Sequence, residues 1–117
     1  MLFALSGFIM MSNKLSFDER TFEALKKIPR GRIVTYKILA KAIGWPRASR
    51  AVGNAVGRNP AAPIIPCHRV ICSDGRLGGY SGRGGIRKKI ELLGQEGVAV
   101  KNGRVENFKK FLYNLKY

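Results

Sequence analysis

The chain has 117 residues, 45% of them hydrophobic, which is enough for one modest core and too little for two. Twenty-two Lys and Arg stand against seven Asp and Glu, a formal net charge of +15. This composition excludes a disordered or acidic chain and leaves two readings of the charge: a solvated basic surface, or one that meets a polyanion such as nucleic acid.

The first eleven residues are apolar and uncharged. They lack the basic n-region and the clear cleavage site of a signal peptide, and they are too few to span a membrane. Residues 1–15 are therefore read either as a poorly ordered segment or as an edge strand packed on the domain, which occupies 16–117. Ser16-Phe17-Asp18-Glu19 is a capping box, and Phe22, Leu25 and Ile28 follow at helical spacing until Pro29 ends the helix. Pro29-Arg30-Gly31 is a turn, and Ile33-Val34 a short extended piece. Thr35 is placed to cap a helix over 36–43, which Gly44-Trp45 break. A second helix is expected over 46–57, with Pro46 at its first position. Two short helices joined by a tight turn form a helix-turn-helix.

That second helix carries Ala48, Ser49, Ala51, Gly53, Ala55 and Gly57. Interior glycine costs a helix about 1 kcal/mol relative to Ala, so either close helix packing or close approach to DNA must justify it. A Pro-rich connection over 59–63 leads to a strand-like apolar run, 64–71, with Cys67 and His68 in its middle. A Gly-rich loop over 75–85 contains Tyr80 and Ser81. A helix over 86–95 places Ile86, Ile90 and Leu93 on one face. A hairpin turns at Asn102-Gly103, and Phe108, Phe111, Leu112 and Leu115 mark a final amphipathic helix. The fold class expected is mainly α with short strands.

The cysteines are Cys67 and Cys72, and the histidine is His68. Four zinc ligands cannot be drawn from these, and one short disulfide would staple little, so the thiols read as reduced, in a cytoplasmic protein. A thiolate is a strong soft nucleophile, and an adjacent base raises its population. His68 is a candidate base. On a strand, though, neighbours point to opposite faces, so contact would need a turn or a bridging water. Glu96 either orients His68, as in a triad, or is a surface carboxylate at a helix end.

Pro66-Cys67-His68-Arg69-Val70 is identical to the signature of the O6-alkylguanine-DNA alkyltransferases, also called methylated-DNA–protein-cysteine methyltransferases. The resemblance runs from Phe17 to about Gly97. It includes Ile28-Pro29-Arg30-Gly31, Thr35-Tyr36, Arg50-Ala51-Val52-Gly53, Asn59-Pro60, Tyr80-Ser81-Gly82 and Glu96-Gly97. It implies the catalytic, C-terminal domain of that family: a winged helix-turn-helix that binds double-stranded DNA in the minor groove and flips O6-alkylguanine into a pocket.

By this resemblance Cys67 accepts the alkyl group, once and irreversibly, activated through water by His68 with Glu96 behind it. Arg50 fills the vacated stack, and Tyr36 presses the 3′ phosphate and hydrogen-bonds the base. Ala48, Ser49, Ala51 and Gly53 lie along the groove. Asn59 braces the connection to the active site, and Val70, Tyr80, Ser81 and Gly82 wall the pocket. A monomer is implied, without metal, organic cofactor or membrane partner, in the cytoplasm of a presumed prokaryote. The chain departs from the family in showing no residues of the N-terminal domain, a slightly long 80–96 stretch and an extra basic segment over 101–117. Alkyltransferase-like sensors, which bind damage without transfer, resemble it in size but carry another residue in place of Cys67. A plain winged-helix module would leave Tyr36, His68 and Glu96 without a role.

Overall fold

A computed structural model describes residues 15–116 as mainly helical with short strands. The expectations for residues 1–14 lie outside the described residues.

Helix α1, Phe17–Leu25, begins at the capping box: the Glu19 amide donates to Ser16 Oγ at 3.0 Å, and the Ser16 amide donates to the Glu19 carboxylate at 3.1 Å. It ends at Leu25, short of Pro29, because the proline ring disfavours helical backbone in the residue before it. Ile28, now in a turn, is still buried. Strand β1, Val34–Thr35, leads straight into α2, Tyr36–Ala42, whose first turn is capped by Thr35 Oγ1 accepting from the Ile38 amide at 3.0 Å. Helix α3, Ser49–Gly57, packs on α2. It starts three residues later than expected: residues 45–48 form a turn closed by the Ala48 amide on the Trp45 carbonyl at 2.9 Å, and Pro46 sits inside that turn.

The apolar run over 64–71 is not a strand through Cys67. Cys67–Arg69 forms a 3-10 turn, closed by the Arg69 amide on the Pro66 carbonyl at 3.1 Å, and only Val70–Ile71 is extended, as β2. Pro66 lacks an amide donor and so cannot extend a ladder backwards. β2 pairs in parallel with β1, Val34 opposite Val70 and Thr35 opposite Ile71. Both strands are buried, as parallel pairs require.

Helix α4, Gly85–Gln95, also departs from its expected face: Lys89 and Leu93 are buried, while Ile86 and Ile90 are exposed. The hairpin β3, Val100–Lys101, and β4, Arg104–Val105, turns at Asn102 and Gly103, both at positive φ. The last helix, α5, covers Phe108–Phe111 and does not continue to Leu115. The chain instead runs extended beside Ile33: the Ile33 amide donates to the Phe111 carbonyl at 2.9 Å, and the Tyr113 amide to the Ile33 carbonyl at 2.8 Å. The open edge at Ile33 offers backbone partners that outcompete a further helical turn.

Two core clusters result. One joins α1, α2, α3, Cys67, Val70 and Leu115; the other gathers Ile33, Ile71, Leu77, Leu93, Val98 and Val105. The β1–β2 pair lies between them, and the 3-10 turn leads directly into it. Among the described residues no helix is long and apolar enough to cross a membrane.

Candidate active site

A cavity of about 320 Å³ is lined by Tyr36, Gly53, Val56, Gly57, Cys67, Gly79, Tyr80 and Ser81. Four pieces of chain meet there: the start of α2, one side of α3, the 3-10 turn at Cys67, and the loop after β2. Cys67 reaches its wall although only 3% of its surface is exposed. Burial pushes the Cys67 thiol up, while a hydrogen bond from Asn59 and the charge of Lys89 pull it back in part. The resting group therefore needs a base before it can attack.

His68 follows on the 3-10 turn, which places it where a strand would not. Its Nε2 lies 3.0 Å from Glu96 Oε2. A carboxylate only accepts, so Nε2 carries the hydrogen and Nδ1 is left as the bare nitrogen. That Nδ1 is buried and has no protein partner among the described residues. Burial lowers the His68 pKa, against the opposing pull of Glu96, so the ring is neutral and able to take a proton.

Glu96 is held by more than the histidine. Arg69 Nε donates to Oε1 at 2.9 Å and Arg69 Nη2 to Oε2 at 2.7 Å, while Arg69 Nη1 donates to the Ile28 carbonyl at 2.7 Å. Burial works to raise the Glu96 pKa, but the hydrogen bonds from Arg69 and His68 outweigh it and bring it down to about 2. Glu96 is thus an anion at neutral pH with a buried side chain, and not a surface carboxylate.

Tyr36 is pushed up to about 12, by burial first and then by the neighbouring thiols, so its phenol remains a donor. Its position depends on Gly78: at φ +70, a Cβ there would lie 3.1 Å from Tyr36 Oη. A Cβ on Gly82 would lie 2.5 Å from the Tyr80 ring, so that glycine seats Tyr80 without itself lining the cavity. Asn59 also stands behind the wall, its Nδ2 donating to the Ile65 carbonyl at 2.8 Å and its Oδ1 accepting from the Ala61 amide at 3.0 Å. Val70 is fully buried in the core and forms no part of the cavity lining; its pairing with Val34 keeps it there. Arg50 and Ala51 are exposed near the start of α3, beside half-buried Ala48 and Ser49.

Residues 16–98 match the family model described as 6-O-methylguanine DNA methyltransferase, DNA binding domain. The chain belongs to the 6-O-methylguanine DNA methyltransferase family. It is similar to the methylated-DNA–protein-cysteine methyltransferase of Methanosarcina acetivorans, 52% identical over 81 residues, which are 69% of this chain and 51% of that protein. It is also similar to the bifunctional transcriptional activator/DNA repair enzyme Ada of Escherichia coli, 48% identical over 81 residues, 69% of this chain and 22% of that one. The chain therefore spans about half or less of these relatives. Among solved structures it resembles Mycobacterium tuberculosis OGT in complex with DNA, with a TM-score of 0.67 at 49% identity, over 70% of this chain and 50% of that one. It also resembles S. pombe Atl1 in complex with damaged DNA containing O6-carboxymethylguanine, with a TM-score of 0.73 at 28% identity, over 83% and 94%.

In this member of the 6-O-methylguanine DNA methyltransferase family, two residues near the site are given no role of their own by the sequence. Arg69 looked like part of a signature, and only the fold shows it clamping Glu96. Lys89 looked like one more surface lysine. Its burial at 0% exposure was hidden behind Ile86 and Ile90, which the helical pattern favoured for the core.

Proposed function

We propose that this chain repairs DNA by direct reversal, moving an alkyl group from O6 of guanine to the sulfur of Cys67. The observation that carries this reading is Cys67 on the wall of a cavity that Tyr36 also lines, with His68, paired to Glu96, next to it on the same 3-10 turn. The matched region is described as a DNA binding domain; on this reading it also holds the acceptor, as in the catalytic domain of the family.

The duplex lies along α3, whose small residues let backbone approach the minor groove, and Arg50 enters the stack as the damaged base leaves it. Inside the cavity His68 Nδ1 takes the thiol proton, through a bridging water. The sulfur then attacks the alkyl carbon in line, the carbon–O6 bond breaks, and guanine leaves with the electron pair. Tyr36 stabilises that developing charge by donating a hydrogen bond. Backbone amides around Ser81, which among the described residues donate to no backbone carbonyl, face O6. The thioether is not hydrolysed, so each chain acts once, as a monomer and without a cofactor. O4-alkylthymine is a secondary substrate on the same chemistry.

The test is an intact-mass measurement after incubation with a duplex oligonucleotide containing O6-methylguanine. The expected result is a gain of one methyl, absent in Cys67→Ala. Tight binding without mass gain would instead make the chain a damage sensor, and equal affinity for undamaged duplex would make it a general DNA-binding module.

A further inference from the structure

Lys89 is a buried cation that the mechanism above does not use. Its Nζ donates to the Val70 carbonyl at 2.7 Å, to the Gly79 carbonyl at 3.0 Å, and to the Leu77 carbonyl. These acceptors belong to two different pieces of the site. Val70 follows the 3-10 turn that carries Cys67, and its own amide is tied back to the Cys67 carbonyl. Leu77 and Gly79 lead into Tyr80 and Ser81, which line the cavity together with Cys67. Among the described residues, the amides of residues 78–81 donate to no backbone carbonyl. That stretch holds two glycines and is followed by three more at 82, 84 and 85, so its ordering entropy is large.

We propose that Lys89 is a positioning residue for alkyl transfer: its ammonium gathers the carbonyls of Val70, Leu77 and Gly79 and so sets the gap between Cys67 and the Tyr80–Ser81 wall that receives the base. The inference rests on the transfer reading for its rate effects but on the free protein for its geometry. Burying an ammonium is costly, and three carbonyls at hydrogen-bond distance are the arrangement that makes it tolerable. A methionine would fill the same volume without the charge, so burial alone gives no reason for a lysine here. Its charge also acts on Cys67, whose thiol it favours in the ionised form.

Burial lowers the Lys89 pKa to about 8, opposed by the negative charge that Cys67 and Cys72 carry when ionised. Above that pH the neutral amine has two hydrogens for three carbonyls, and the clamp loosens. Thiolate formation raises the transfer rate with pH, so a falling limb above about pH 8 is the signature of Lys89.

The experiment uses Lys89→Met in the full chain, with Cys72→Ser as background for both proteins. With protein in excess over an O6-methylguanine duplex, the maximal transfer rate falls about 100-fold, the scale expected of a misplacement near 1 Å. Duplex affinity stays within about twofold, on the scale of surface effects. The falling limb of the pH profile disappears, and amide hydrogen exchange quickens over residues 78–82 but not in α1 or α2. A transfer rate equal to that of the parent overturns the proposal. So does a parallel loss of thermal stability, affinity and rate, which marks a merely structural lysine. Should the parent transfer no methyl, the proposed function fails by itself. The clamp is then judged by hydrogen exchange, and unchanged exchange over 78–82 overturns it.

Discussion

Glu96 shows how one side chain couples stability to chemistry. Its carboxylate holds the histidine tautomer, and it stays ionised because Arg69 grips both oxygens. A carboxyl whose folded pKa lies below its unfolded value contributes stability above the unfolded value and loses it as pH falls through the folded one. Here that window runs from 4.5 down to about 2. The shift corresponds to on the order of 3 kcal/mol at neutral pH. Glu96→Gln is therefore expected to unfold at lower urea than the parent at pH 7 and to show a flatter decline in stability between pH 4.5 and 2. An acid slope unchanged by the substitution would place the clamp's energy elsewhere. Arg50, by contrast, is exposed, and its part in the proposed function is the encounter with DNA. Arg50→Ala should slow repair of duplex about tenfold or more, since flipping costs a few kcal/mol, and should slow reaction with free O6-alkylguanine base far less. Equal losses on both substrates would remove Arg50 from the flipping step.

Helix α3 carries glycines that cost it stability. A Cβ on Gly53 would meet the Tyr36 ring at 3.8 Å, an ordinary contact, and one on Gly57 would meet nothing within 4 Å. Neither glycine is demanded by close helix packing, so of the two readings of this small-residue stripe, close approach to DNA is the one the proposed function keeps. Gly53→Ala is expected to raise stability by about 1 kcal/mol and the melting temperature by about 4–8 °C. Gly53→Leu should keep the fold and weaken both duplex binding and transfer, because it fills the cavity that Gly53 lines. Retention of full binding in the leucine variant, measured by fluorescence anisotropy, would count against α3 as the groove-facing element.

At the scale of the molecule the charge is largely uncompensated. Asp18, Glu23, Asp74, Glu91 and Glu96 each pair with a cation, yet 22 Lys and Arg are present. Exposed Lys37, Arg47 and Arg50 stand on and around the helix-turn-helix. A footprint of about six phosphates gives a slope near −5 for log affinity against log salt. Binding to undamaged duplex between about 50 and 200 mM salt measures it, and a slope near zero would show that the basic surface does not meet the DNA backbone.

The local features were legible in the chain itself, because each depends on neighbours a few residues apart: the Ser16–Glu19 box, the Thr35 cap, the Asn102-Gly103 hairpin, the helix-turn-helix. The Cys67-His68 pair was equally plain, and so was the family that its surrounding residues resemble. What only the tertiary structure decided was where side chains end up once distant segments meet. The 3-10 turn at Cys67 exists because β2 must start at Val70 to pair with β1. The last helix stops at Phe111 because Ile33 offers a backbone edge. Glu96 is an anion because Arg69, 27 residues away, reaches it. Lys89 is buried because three carbonyls converge on it, and no helical pattern places an ammonium inside while leaving Ile86 and Ile90 outside. Patterning reads the average preference of a residue for water, whereas a satisfied buried charge depends on partners that only the fold assembles.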